Sequence, residues 1–83
     1  MIELYGADWC GDCIRSKTLL TTLGVDFMYL EVDKDDALRD RAIAISGGAQ
    51  SIPVIVFPDG THLTEPPDPA LREKLAVLGL LVG

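Results

Sequence analysis

The sequence predicts a small α/β domain in the order β-α-β-α-β-β-α, a four-stranded mixed sheet flanked by three helices. Three observations lead there. Short apolar runs alternate with longer segments whose apolar residues recur at helical spacing. After the third short run the alternation breaks, because Pro58-Asp59-Gly60 joins two strand-like pieces through a hairpin-type turn. The two cysteines of the chain, Cys10 and Cys13, fall where the first short run gives way to the first helical one.

Each element follows in order. Met1 to Tyr5 is short and apolar enough for a buried first strand, and Gly6-Ala7-Asp8 turns the chain toward Trp9. From Cys10 to Leu23, Ile14, Leu19, Leu20 and Leu23 keep helical spacing, with Arg15, Ser16 and Lys17 on the wetter side and Gly24 as the stop. Val25 to Val32 reads as a second strand buried on both faces. A strand, a helix and a strand form a βαβ unit, so these two strands are expected to be parallel with a right-handed crossover.

Asp33-Lys34-Asp35-Asp36 supplies a cap and an acidic first turn for a second helix reaching about Ser46. Its inward residues are Ala37, Leu38, Ala42 and Ile45, and Gly47-Gly48 ends it. Val54 to Phe57 is the third strand, and Thr61 to Thr64 pairs back as a short edge strand. Glu65 to Pro69 is a stiff connector, with Asp68 expected as the cap and Pro69 in the first helical position. The last helix buries Leu71, Leu75 and Leu78, and the apolar tail Gly79 to Gly83 is expected to fold back on the domain, the alternative being a dimer contact.

Composition narrows the function. Eighty-three residues make one domain, spanning 1–83, near the small end for a self-sufficient core. An apolar share of 48% is enough to build that core. A net charge of −6 without a basic run argues against nucleic acid or an anionic membrane as partner. No apolar stretch reaches membrane-spanning length. The N-terminus enters a strand at once, without a basic segment followed by an apolar one, so a cytoplasmic protein is expected. There, a lone C-x-x-C pair reads as redox or metal chemistry rather than as a staple.

The chemistry concentrates in Trp9-Cys10-Gly11-Asp12-Cys13. The first turn of a helix presents unpaired N–H groups and the positive end of the helix dipole, which favour a thiolate at Cys10. Cys13 lies one turn along on the same face, close enough for a disulfide. Cys10 is therefore the expected nucleophile and Cys13 the resolving thiol. A structural disulfide or half of a zinc site are the bland readings. Zinc needs about four ligands, and His62 is the one other soft donor, so no metal is expected.

Trp9 either shields the thiol and lines a groove beside it or packs under the helix. Asp12 brings a negative charge near Cys10 and competes for first-turn N–H donors, so a less acidic Cys10 and a more reducing pair are expected than with neutral residues there. The opposing reading leaves Asp12 in solvent and screened. Ile52-Pro53, ahead of the third strand, could be an ordinary trans entry to it.

Taken together, Trp9-Cys10-Gly11-Asp12-Cys13 and Ile52-Pro53 resemble the glutaredoxin branch of the thioredoxin superfamily. The resemblance covers essentially the whole chain, and the element order matches the minimal thioredoxin fold. Asp8-Trp9-Cys10 and Asp59 to Thr64 look most like the mycoredoxins, the actinobacterial glutaredoxin-like proteins. The resemblance implies a cis Pro53 facing the two cysteines, with the Ile52 backbone free to pair with an extended substrate. It also implies a monomeric thiol–disulfide oxidoreductase acting on protein mixed disulfides. No bound cofactor is expected beyond the redox-active Cys10–Cys13 pair, with a low-molecular-weight thiol as co-substrate and a disulfide reductase system behind it.

Two departures bear on which thiol. Glutathione-using relatives usually carry a basic residue where this chain has Asp8, and a Gly-Gly-x-Asp-Asp-like turn where it reads Thr64-Glu65-Pro66-Pro67-Asp68. Asp8 and Glu65 would repel anionic glutathione. Mycothiol, an uncharged sugar conjugate of acetylcysteine, escapes that penalty, and Thr64, Glu65 and His62 could hydrogen-bond its hydroxyls, the other reading of His62 being a plain edge-strand residue. Two rivals remain. One is an NrdH-like electron donor to protein disulfides, although the Trp-Ser-Gly-Phe-Arg-Pro-like stretch of those proteins is missing. The other is a carrier holding an iron–sulfur cluster between two subunits.

Overall fold

The sheet is assembled from the βαβ unit outward. In the computed structural model, which describes residues 1–48 and 50–81, the elements are β1 (Ile2–Gly6), α1 (Gly11–Thr22), β2 (Phe27–Glu31), α2 (Asp36–Ile45), β3 (Val54–Val56), β4 (His62–Thr64) and α3 (Asp68–Val77). The four strands lie in the order β2-β1-β3-β4. β1 pairs parallel with β2 and antiparallel with β3, and β3 pairs antiparallel with β4. This is the predicted architecture, strand for strand.

Alternation along β1 divides the interior. Ile2 and Leu4 point to one face, where they meet Leu19 and Leu20 of α1, Ile55 and Phe57, and Leu71 and Leu75 of α3. Tyr5 points to the other face and packs with Val32, Ala42 of α2 and Val54. Thus α1 and α3 share one side of the sheet and α2 stands alone on the other.

Helix ends follow their residues. Leu23 closes α1, and Gly24 (φ 71°) takes the left-handed conformation that only glycine adopts without strain, so that the Val25 N–H reaches the Leu20 carbonyl at 3.0 Å. Asp35 caps α2 by accepting the Ala37 N–H at 2.9 Å. Gly6 is needed for another reason. A Cβ there would lie 2.9 Å from the Cys13 sulfur, so its absence lets α1 sit close on the end of β1.

Several expectations are corrected. β2 is an edge strand, with Met28 exposed and the rest half-buried, and not buried on both faces. The buried stripe of α1 runs Cys13, Ser16, Leu19, Leu20. Starting the stripe at Cys13 turns Ser16 inward and leaves Ile14 about half exposed, the reverse of the expected sides. Ala37 faces solvent on α2, whereas Leu38, Ala42 and Ile45 face inward. Pro67, not Asp68, is the N-cap of α3, without a side-chain bond; Asp68 and Pro69 are its first two residues. Leu80 and Leu81 of the tail pack on the α1/α3 core, while Val82 and Gly83 lie outside the described residues. Among the described residues no helix is long and apolar enough to cross a membrane.

Candidate active site

Cys10 is the residue on which α1 is capped. Its extended backbone (φ −91°, ψ 115°) places the sulfur over the first turn, where it accepts the Cys13 N–H at 3.3 Å. The Cys10 N–H is itself anchored on the Ala7 carbonyl at 3.1 Å, which fixes the turn that delivers the sulfur. A sulfur in the N-cap position collects a donor that the helix leaves unpaired and sits at the positive end of the dipole. Cys10 is partly exposed and Cys13 fully buried, and both are free thiols.

Burial has a consequence for Cys13. Loss of water around its sulfur, together with the hydrogen bond to Cys10, pushes the thiol up to about 12, and the charge of Asp12 adds to the rise. The two sulfurs therefore have different chemistry within one turn of helix. One is presented, and the other is kept as a thiol.

The Ile52–Pro53 bond is cis, as the resemblance implied. The Cys10 sulfur lies 3.9 Å from the Ile52 carbonyl, so the loop before β3 faces the thiol. Behind it the Glu65 N–H donates to the Pro53 carbonyl at 2.8 Å, which ties the connector after β4 to the same loop. Glu65 holds a positive φ of 49°, an uncommon conformation for a residue with a side chain. Thr64 is half-buried, and Glu65 and His62 are exposed.

Trp9 does not pack under the helix: it is 72% exposed and forms the lip of a cavity of about 360 Å³. That cavity lies on the α2 face, between Asp36 and Arg39 of α2, the Val32 end of β2 and the Gln50–Ile52 loop. Sequence reasoning missed it. Its walls come from segments far apart in the chain, and Gln50 and Arg39 look like ordinary surface residues until α2 is docked.

Two acidic residues behave differently from expectation. Asp12 does not take first-turn N–H donors. Its carboxylate pairs with Arg15 at 3.0 Å, and the Cys13 N–H goes to the Cys10 sulfur. Asp8 turns to the edge strand, where it accepts the Tyr29 hydroxyl at 2.9 Å. That bond, helped by Lys17 and Lys34, holds the Asp8 carboxyl below its ordinary value. Burial and Asp8 in turn push the Tyr29 phenol up. Lysines around Asp8 offset part of the repulsion expected toward an anionic co-substrate, so the charge argument against glutathione rests more on Glu65. Among the described residues no cluster of three potential metal ligands occurs.

Comparison with known proteins agrees with this geometry. The family model described as Glutaredoxin matches residues 2–63. A glutaredoxin-named protein of Mycobacterium tuberculosis is 30% identical over 74 residues, which cover 89% of this chain and 88% of that protein. Mycoredoxin 1 of Corynebacterium glutamicum is 30% identical over 66 residues, 78% of this chain and 80% of the relative. The crystal structure of a glutaredoxin from Archaeoglobus fulgidus superposes with a TM-score of 0.77 at 30% identity, covering 87% of this chain and 82% of that one.

Proposed function

The chain belongs to the glutaredoxin family of thiol–disulfide oxidoreductases, and on that footing we propose that it removes mycothiol from protein mixed disulfides, with Cys10 as its nucleophile. The observation that carries this reading is the contrast inside the C-x-x-C pair. The Cys10 sulfur is partly exposed at a helix cap, whereas Cys13 is sealed, and that burial pushes its thiol up.

In the reaction the Cys10 thiolate attacks the sulfur of the small thiol. The protein leaves as a thiolate and is protonated, and Cys10 holds the small thiol as a mixed disulfide. A second molecule of the small thiol attacks that sulfur and releases a symmetrical small disulfide and the free Cys10 thiol. A disulfide reductase system then returns the small disulfide to thiols. Cys13 would have to lose a proton in a dry site to compete for the second step, so the external thiol is faster at neutral pH. Its role is then a branch, closing the Cys10–Cys13 disulfide when small thiol is scarce.

The body of the co-substrate enters the cavity beside Trp9. An aromatic face, two carboxylates (Asp33 and Asp36), the Arg39 guanidinium and the Gln50 amide suit a polyhydroxylated group better than a second aliphatic chain. The Ile52 carbonyl and Pro53 face the scissile disulfide, and Glu65, whose N–H is tied to the Pro53 carbonyl, sets with Thr64 the polarity met by the incoming small thiol. Support for mycothiol comes from this lining, from Glu65 and from similarity to a mycoredoxin.

Turnover of mycothiol and glutathione mixed disulfides by wild type, Cys10→Ser and Cys13→Ser tests the proposal. Cys10→Ser should lose all activity, and Cys13→Ser should keep most of it with the mycothiol substrate. Collapse of Cys13→Ser, together with reduction of protein disulfides by wild type fed from a thioredoxin-reductase-type enzyme, would make the protein an electron carrier of the NrdH kind instead.

A further inference from the structure

Arg15 lies half-exposed on α1, two residues past Cys13, and it holds three partners at once. Its Nη1 pairs with Asp12 at 3.0 Å, its Nε with Asp68 at 3.4 Å, and its Nη2 donates to the Pro66 carbonyl at 3.4 Å. Those partners belong to the first turn of α1, the first turn of α3 and the connector between β4 and α3. Asp68 Oδ1 is a buried atom without a hydrogen bond, and the Arg15 Nε is the cation beside it. Among the described residues no other lysine or arginine pairs with Asp12 or Asp68.

The two carboxylates matter because of where they sit. Asp12 lies between the two cysteines, and its charge is felt at the Cys13 sulfur. Asp68 starts the helix that follows the connector holding Glu65, itself exposed. Without the guanidinium beside it, Asp12 would leave a bare negative charge in the turn that carries the Cys10 sulfur. Attack by a thiolate, or on a disulfide carried by an acidic protein segment, brings further negative charge to the same place.

We propose that Arg15 is a positioning residue for Cys10: it neutralises Asp12 and Asp68 and thereby keeps the sulfur accessible to anionic reaction partners. The proposal rests on Cys10 being the reacting thiol and not on which small thiol it serves. It also accounts for the presence of Asp12 beside a nucleophilic cysteine, since the carboxylate is half of an ion pair and not a free charge.

The test reads the local field with two alkylating probes of similar shape, neutral iodoacetamide and anionic iodoacetate. Each forms a carbon–sulfur bond at Cys10 and releases iodide. Rates are measured at low salt on the full chain carrying Cys13→Ser, so that Cys10 alone reacts. Arg15→Gln should lower the iodoacetate-to-iodoacetamide rate ratio by about two- to fivefold, the range expected of partly exposed charge pairs. Adding Asp12→Asn should restore most of the ratio, Arg15→Lys should retain more than half of it, and about 1 M salt should erase the difference.

An unchanged ratio in Arg15→Gln overturns the proposal. So does a fall that Asp12→Asn leaves in place, because the Asp12 carboxylate would then not be the charge that Arg15 offsets. If Arg15→Gln does not fold, Asp12→Asn alone still decides: with Arg15 opposed by Asp68 alone the ratio should rise, and no rise overturns the idea. Alkylation needs no physiological disulfide, so failure of the mycothiol assignment would leave this outcome untouched.

Discussion

The two faces of the sheet are built to different depths. On one, α1 and α3 bury Leu19, Leu20, Leu71 and Leu75 against Ile2, Leu4, Ile55 and Phe57. On the other, α2 contributes a single fully buried residue, Ala42, against Tyr5, Val32 and Val54. A small side chain under a lone helix does not fill the layer, and the cavity beside Trp9 is what remains. The thick face holds the fold and supplies the helix that carries the cysteines. The thin face leaves room for a substrate.

The largest effect should come from breaking the thick face. Leu20 is fully buried between α1 and the sheet, so Leu20→Ala should lower the unfolding free energy by ~2–5 kcal/mol in urea titration. Leu38→Ala, at a partly buried site on the thin face, should lower it by only about 1 kcal/mol. Equal losses from the two would mean that the faces share the load and that the comparison is wrong.

Gly6 tests the seam where the thick face meets the active site. A methyl group there would lie 2.9 Å from the Cys13 sulfur and 3.1 Å from its Cβ. Cys13 is short and sealed in, so it cannot swing aside, and Gly6→Ala should destabilise by about 1–3 kcal/mol through overpacking. The same shift should move Cys13 relative to Cys10 and slow closure of their disulfide, read by quenched oxidation and mass spectrometry. Unaltered closure would show that α1 can slide on β1.

Sharpening the thin face calls for a gain of volume. Ala42→Leu adds volume toward the cavity from a buried site, so stability should fall by about 1–3 kcal/mol through partial overpacking. The KM for a mixed disulfide of a bulky small thiol should rise roughly 5- to 10-fold, equal to about 1–1.4 kcal/mol of binding, with little change in kcat. A fall in kcat at constant KM would place the co-substrate elsewhere, along Thr64 and Glu65.

How much of this was legible in the sequence follows the same division. Periodicity carried the element order, and the C-x-x-C at a strand-to-helix junction located Cys10 on its cap, because both are local properties of the chain. A strand's position in a sheet is not local. The Val25–Val32 run is apolar enough for a central strand, and only the pairing of β1 with β3 leaves β2 at the edge. Likewise, Ile14 and Ser16 exchange sides because the helix is rolled to seat Cys13 on Gly6, a contact that spacing does not reveal. The second partner of Arg15, Asp68, depends on where α3 and its connector come to rest, and the cavity on where α2 docks. Binding geometry was hidden wherever distant segments had to meet.

The smallest effect concerns the outer rim of the thick face, where Asp59 in the β3–β4 turn meets Lys74 of α3 at 2.9 Å. The Thr61 hydroxyl at 2.6 Å and then Lys74 stabilise its charged form, and together they hold the Asp59 carboxyl down at about 2, below the ordinary 3.8. A carboxyl depressed in the folded protein contributes stability that is fully present above its ordinary value and is lost as pH falls through the folded one. The tie between hairpin and helix should therefore weaken as pH drops from 3.8 toward about 2. The site is exposed, so the effect should also shrink with added salt. Asp59→Asn should make the melting temperature fall less steeply across that interval than wild type, while both proteins run parallel above it. The thin face carries no pair of this kind between α2 and a turn of the sheet among the described residues. An identical acid limb in variant and wild type would show that packing alone, through Leu71 and Leu75, fastens α3 to the sheet.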